Sequence, residues 1–213
     1  MDRSRSPAPD CELWLLRHAQ SEWNASGRWQ GQADPCLSAA GREQLGALVR
    51  SFAEALGETR VDRLVCSDLM RTRQTARALG DDWGLEAQPD ATLRELDVGS
   101  WSGLTRAEIA ARDPRLLAAF EAGDPDVRPP GGETRSEIRV RAREAIRRIA
   151  SDAPGERIVL VSHLGFIRAL LPDQDLGNAE FLRVLATDAL TRRERLAGAA
   201  GGAENGAGES QPL

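Results

Sequence analysis

The chain contains two histidines, and each follows an apolar run. His18 comes after Leu13-Trp14-Leu15-Leu16-Arg17, and His163 after Ile158-Val159-Leu160-Val161-Ser162. Short apolar runs of this kind are expected to form buried strands. The edge of an open α/β sheet, at its strand ends, is where ligand sites form. Imidazole is the side chain suited to nucleophilic or acid/base work near neutral pH. One histidine so placed is more often a satisfied core or surface group. Two at equivalent strand ends, one directly after an arginine, point to function.

Phosphoryl transfer is the chemistry this pattern suits best. It needs an aligned nucleophile, positive charge on the non-bridging oxygens and an acid for the leaving group. Arg17-His18 supplies a cation beside a nucleophile, and the planar guanidinium can grip two phosphate oxygens. Ser67 to Ala76 runs from a strand end into a helix, which puts Arg71 about one turn in, able to reach back over the sheet edge. Arg73, two positions on, faces elsewhere. Glu95, in Leu93-Arg94-Glu95-Leu96-Asp97, is the candidate acid, with Asp97 its close competitor; by local spacing alone either reads as an exposed loop carboxylate. Cys11-x5-Arg17 matches the spacing of cysteine-dependent phosphatases, but that chemistry needs a loop of backbone N–H groups around phosphate. The residues between are a glycine-free strand, so the match is rejected.

Composition sets the frame. The 213 residues suit one domain with a sizeable core, and a net charge of −5 gives no general affinity for nucleic acid. Every basic residue is arginine, and there is no tyrosine. Cys11, Cys36 and Cys66 are too few and too odd in number for a disulfide framework, so a reducing, cytoplasmic setting is expected. No Cys-x-x-Cys or closely spaced histidine pair signals a metal. The apolar run near the N-terminus is too short for a signal or a membrane span.

The elements that must position these residues follow from periodicity and caps. Strands are expected at 11–17, 61–66, 85–88, 157–161 and 181–186. Residues 21–37 read as a loop. Ser38 caps a helix with the apolar stripe Leu45, Leu48, Val49, Phe52 and Leu56, and Asp68 caps another reaching Leu79. Thr105-x-x-Glu108 and Thr134-x-x-Glu137 fit capping boxes; the first helix breaks at Asp113-Pro114, and the second carries Ile138, Ala142, Ala145, Ile146 and Ile149. A last helix spans 166–171. Residues 1–10 and 197–213 are expected to be disordered, leaving 11–196 as one α/β domain with a small helical cap inserted at about 103–133.

In their order, the Arg17-His18, Ser67–Ala76, Glu95–Gly103 and Val161–Leu170 segments resemble those of the histidine phosphatase superfamily, the phosphoglycerate mutase-like group, over roughly residues 11–190. The resemblance implies a three-layer α/β/α sandwich with a mostly parallel sheet. It implies that His18 becomes a phosphohistidine, that Arg17, Arg71 and His163 clamp the phosphoryl group, and that Glu95 protonates the leaving oxygen and then activates water. It places Asn24 on the phosphate and Gln30-Gly31 on the substrate side, with no metal or organic cofactor. The family's glycines after its two histidines are Ala19 and Leu164 here. Alanine is tolerable unless the backbone torsion requires glycine. Leu164 keeps an N–H for phosphate, but its side chain must fit near the pocket, so activity is expected to survive with a narrowed substrate range.

The compact insert without tyrosine, and Pro129-Pro130-Gly131-Gly132-Glu133-Thr134, resemble the small phosphatase branch. A phosphomonoesterase acting on a small phosphorylated metabolite is therefore expected, with mutase-type transfer as the alternative. A non-catalytic phosphate-ester binder ranks below both, because Arg17, His18, Arg71, Glu95 and His163 are all present. Trp101, Phe120, Arg106, Arg112 and Arg115 of the insert either recognise substrate or, the preferred reading, are packing and solvated surface. Oligomeric state is left open.

Overall fold

The computed structural model describes residues 10–191. The tail expected to be disordered, 197–213, lies outside the described residues, as does all of the 1–10 lead except Asp10. Asp10 is tied down: its carboxylate accepts from the Cys11 N–H and from Thr187.

Thirteen strands and α-helices follow one another among the described residues, with short 3-10 turns at Ala91–Leu93 and Gly99–Trp101: β1 (Glu12–Arg17), α1 (Glu22–Ala25), α2 (Ala39–Leu56), β2 (Arg63–Cys66), α3 (Met70–Trp83), β3 (Gln88–Pro89), α4 (Arg106–Arg112), α5 (Pro114–Glu121), α6 (Arg135–Ser151), β4 (Arg157–Ser162), α7 (Leu164–Leu170), β5 (Phe181–Leu185) and α8 (Ala186–Thr191). The strands form one sheet in the order β3-β2-β4-β1-β5, parallel except for β5. Alternation along the strands divides the core in two. Trp14, Leu16, Leu64, Cys66, Val159 and Val161 face α2 and α3 through Leu48, Phe52 and Leu79. Leu13, Leu15, Val65, Ile158 and Leu160 face the other way, onto α6 and α7 through Ile138, Ile146, Phe166 and Ile167. That is the three-layer sandwich.

Local departures have physical causes. The loop at 21–37 contains the one-turn helix α1, whose capping box joins Ser21 to Asn24. Asp68 does not cap α3. Leu69 occupies that position without a side-chain bond, because both Asp68 oxygens are held by Arg94, at 2.7 and 2.6 Å. The strand expected at 85–88 shrinks to Gln88–Pro89, since the chain turns at left-handed Gly84 and the Leu85 N–H bonds back to Gly80. Phe120 of the insert packs in the core with Trp29 and with Trp101, which lies just ahead of the insert. Arg106 pairs with Glu121, Arg112 bonds to Ser100, and Arg115 is exposed. Packing and surface is thus the fitting description of those residues.

Candidate active site

β1 and β4 are neighbours, and their register sets Arg17 opposite Ser162. The residue after each strand is therefore a histidine on the same sheet edge. The His18 N–H bonds to the Ser162 carbonyl at 3.0 Å, and the two imidazole centroids are 5.2 Å apart, edge to face. His18 Nδ1 lies 2.7 Å from the Ala19 carbonyl, which can only accept, so Nδ1 carries the proton. Nε2 accepts from Arg71 Nε at 3.3 Å. These partners select the neutral tautomer with a lone pair on Nε2. His163 is the residue ahead of α7, which begins at Leu164 rather than 166, and its imidazole makes no cap bond. Both its ring nitrogens are buried without a hydrogen-bond partner among the described residues.

Two guanidinium groups flank the imidazoles. Arg71 is fully buried and is held by the carbonyls of Ala33 and Gly31, at 2.7 and 2.9 Å. Burial pulls it down to about 10, against the opposing pull of Glu95 and Asp34, so it remains a cation at neutral pH. Arg17 donates to the Leu176 carbonyl at 2.8 Å. Glu95 is buried, not exposed: one carboxylate oxygen accepts from the Leu96 N–H at 2.8 Å, the other from the Gly165 N–H at 3.2 Å. A Cβ at Gly165 would lie 2.2 Å from Glu95 Oε1, so glycine there is what admits the carboxylate. Asp97 is occupied in its own turn, accepting from the Gly99 N–H. Cys11 sits at the far end of β1, roughly 20 Å away at 3.3 Å per residue, and burial pushes its thiol up to about 11. No three His, Cys, Asp or Glu side chains converge as metal ligands among the described residues.

Asn24 Oδ1 accepts from the Ser21 N–H and from Asn178 Nδ2, which orients the carboxamide so that its NH2 remains available to a ligand. Gln30 is buried beneath, with Oε1 2.7 Å from Ser21 Oγ. Gly31 has φ +49, presses on Val98 and supplies a carbonyl to Arg71. Gln30 and Gly31 thus brace Ser21 and Arg71.

Residues 13–191 match the family described as the histidine phosphatase superfamily (branch 1). The chain belongs to that superfamily. It is 39% identical over 166 residues to glucosyl-3-phosphoglycerate phosphatase of Mycobacterium tuberculosis, covering 74% of this chain and 72% of that protein. It is 36% identical over 162 residues to the metal-independent phosphoserine phosphatase of Arabidopsis thaliana, covering 75% of this chain and 66% of that protein. The native structure of the mycobacterial glucosyl-3-phosphoglycerate phosphatase superposes with a TM-score of 0.72 at 34% identity, over 81% of this chain and 88% of that one. These relatives are small-metabolite phosphatases of the phosphoglycerate mutase-like fold.

Within this histidine phosphatase, the two replaced glycines are explained by their surroundings. Ala19 has no left-handed torsion, since Ala179 is the only non-glycine with positive φ among the described residues. Its N–H bonds to Thr75 Oγ1. Leu164 is buried in the core that α6 and α7 share, where its side chain packs against apolar neighbours. We expect Leu164→Ala to cost about 2–5 kcal/mol of stability with the ranking of substrates unchanged. Denaturant titration and a substrate panel check this, and an altered ranking at wild-type stability would return Leu164 to the pocket wall.

Of three supporting residues, Asn178 and Arg141 carried no sequence signal, and Glu133 stood out only as part of the Gly131-Gly132-Glu133 segment. Asn178 Nδ2 bonds to the His18 carbonyl, 160 positions away. Glu133 and Arg141 pair at 2.8 and 2.9 Å, and Arg141 also bonds to the carbonyls of Thr92, Arg94 and Glu95, fixing the segment that bears the acid.

Both imidazoles are held well below the usual 6.5, by burial first, then by Arg71 and Arg17 for His18 and by Arg71 and His18 for His163. Below pH 6.5 the unfolded chain binds protons that the folded chain refuses. Stability should therefore fall as pH drops below 6.5, by up to about 1.4 kcal/mol per pH unit for each histidine. Urea unfolding at pH 7.5, 6.0 and 5.0 measures this; unchanged midpoints would contradict it.

Proposed function

We propose that this chain is a metal-independent phosphomonoesterase that hydrolyses a small phosphorylated metabolite through a phosphohistidine on His18. The observation that carries the reading is the His18 tautomer, with Nε2 unprotonated between Arg71 and His163. Nε2 attacks phosphorus, and the P–O bond to the leaving group breaks as Glu95 gives its proton to the departing oxygen. Arg17, Arg71 and His163 hold the phosphoryl oxygens, with the Asn24 amide as a further donor. Glu95, now ionised, takes a proton from water, whose oxygen attacks the phosphohistidine and releases phosphate. The named activities of the relatives support hydrolysis over mutase-type transfer.

The reading takes 11–196 as one domain with the insert at about 103–133. The three free cysteines support a reducing, cytoplasmic setting. No helix among the described residues is long and apolar enough to cross a membrane. The test is aryl phosphate hydrolysis in excess chelator, together with a quench that traps phosphoenzyme. Turnover that persists in chelator, with an acid-labile, base-stable phosphoenzyme, is the expected result. Loss of turnover on chelation would sink the metal-free mechanism.

A further inference from the structure

Ala179 carries the one left-handed non-glycine backbone among the described residues, at φ +61. That torsion is costly for a residue with a Cβ, and it persists where the surrounding bonds impose it. Here they impose it against the nucleophile. The Ala179 N–H is shared between the carbonyls of Arg17 and His18, each at 3.2 Å, while the Arg17 N–H goes to the Glu180 carbonyl at 3.0 Å. A left-handed residue at a strand end is how β-bulges beside active sites re-aim a side chain.

The side chain re-aimed is that of Asn178. A carbonyl can only accept, so the Asn178 amide nitrogen is what faces the His18 carbonyl, at 3.1 Å. The second hydrogen on that nitrogen serves Asn24 Oδ1, at 3.3 Å. The same loop gives the Leu176 carbonyl to Arg17, so it meets Arg17, His18 and Asn24 at once. It is fastened on its outer side as well. Arg168 of α7 donates to the Gln174 carbonyl and to Asp175, and the Gly177 N–H bonds to the Glu180 carboxylate at 2.8 Å.

The two bonds of Asn178 differ in consequence. Without it, the His18 carbonyl still has the Ala179 N–H. Asn24 Oδ1 would keep the Ser21 N–H at 3.1 Å and a Ser21 hydroxyl whose single proton has a nearer acceptor, Gln30 Oε1 at 2.7 Å. A carboxamide fixed by two donors is set before the ligand arrives, and a donor set in advance stabilises more than one that must be turned on binding. We propose that Asn178 is a positioning residue: it locks the Asn24 oxygen so that the Asn24 NH2 faces the phosphoryl group, without touching the substrate itself. The inference rests on the phosphatase reading above and adds to it a residue through which Asn24 works.

The test is a double-mutant cycle on Asn24 and Asn178, read by aryl phosphate hydrolysis with inorganic phosphate as the competing inhibitor. Asn178→Ala should weaken phosphate inhibition and lower kcat/KM, each about tenfold, and Asn24→Ala should do so at least as strongly. In the Asn24→Ala background, Asn178→Ala should cost about twofold or less, because its target is gone. Asn178→Ser, polar but too short to reach Asn24, carries the same cycle if Asn178→Ala does not fold. Equal losses in both backgrounds would make Asn178 merely structural and overturn the proposal, as would unchanged phosphate inhibition in the Asn178 variants. Calorimetric titration with inorganic phosphate runs the cycle without turnover. Coupling there in a chain that hydrolyses nothing supports the positioning role and rejects the phosphatase reading. Hydrolysis with additive losses does the reverse, and a wild type that neither binds phosphate nor hydrolyses rejects both.

Discussion

His18→Ala is expected to lower kcat on every phosphomonoester by about 10⁴-fold or more, because the attacking atom itself is lost. His163 cannot substitute. Its ring sits 5.2 Å away at the end of a different strand, so an attack from there would not share the line set by Arg17, Arg71 and Glu95. The variant should fold, at a cost of about 1–3 kcal/mol, because Arg71 Nε loses its acceptor inside the protein. It should also be less sensitive to acid than wild type, since one of the two suppressed imidazoles is gone and the stability slope below pH 6.5 halves. Turnover within tenfold of wild type would mean that His18 is not the nucleophile.

Glu95→Gln should split by leaving group. On alkyl phosphates the departing oxygen needs a proton, and kcat should fall about 10²- to 10⁴-fold. On 4-nitrophenyl phosphate the leaving group departs unaided, so phosphorylation of His18 stays fast while water attack loses its base. The visible result is a burst of nitrophenol equal to the enzyme present, then slow turnover. Gly165→Ala should reproduce part of this without touching the carboxylate. The new Cβ meets the carboxylate end of the Glu95 side chain and not backbone, so Glu95 is displaced from its two N–H donors while the fold is kept. About a tenfold or greater loss in kcat at nearly unchanged Tm is expected. Equal losses on alkyl and nitrophenyl substrates, without a burst, would remove Glu95 from the proton-transfer role.

What could be read in the chain was whatever its local pattern determines. Leu13-Trp14-Leu15-Leu16 is apolar at every position because both faces of β1 are covered, and a strand so buried announces itself and the histidine after it. The boxes at Thr105–Glu108 and Thr134–Glu137 close within three residues and formed as expected. Long-range competition hid the rest. Asp68 has the side chain of a cap, but Arg94, 26 positions away, claims both oxygens. Glu95 reads as an exposed loop acid until Gly165 and the Arg141 brace are brought against it. Asn178 lies in a polar stretch with no period, and only the return of that loop over Arg17 and His18 gives it a task.

The sheet order has a consequence for how the molecule comes to exist. β4 lies between β1 and β2, so the two earlier strands never touch each other and are joined only by the strand that arrives last of the three. Until residue 162 has left the ribosome, β1 and β2 carry open apolar edges of the kind that pair promiscuously. Closing them requires contacts 145 residues apart for β1 with β4 and 95 apart for β2 with β4, which folds slowly. The same event seats His163 beside His18. Maturation of the reactive edge and sealing of the core are therefore one step: a nascent or half-folded chain holds a histidine with no chemistry, and recovery of activity on refolding should report insertion of the central strand.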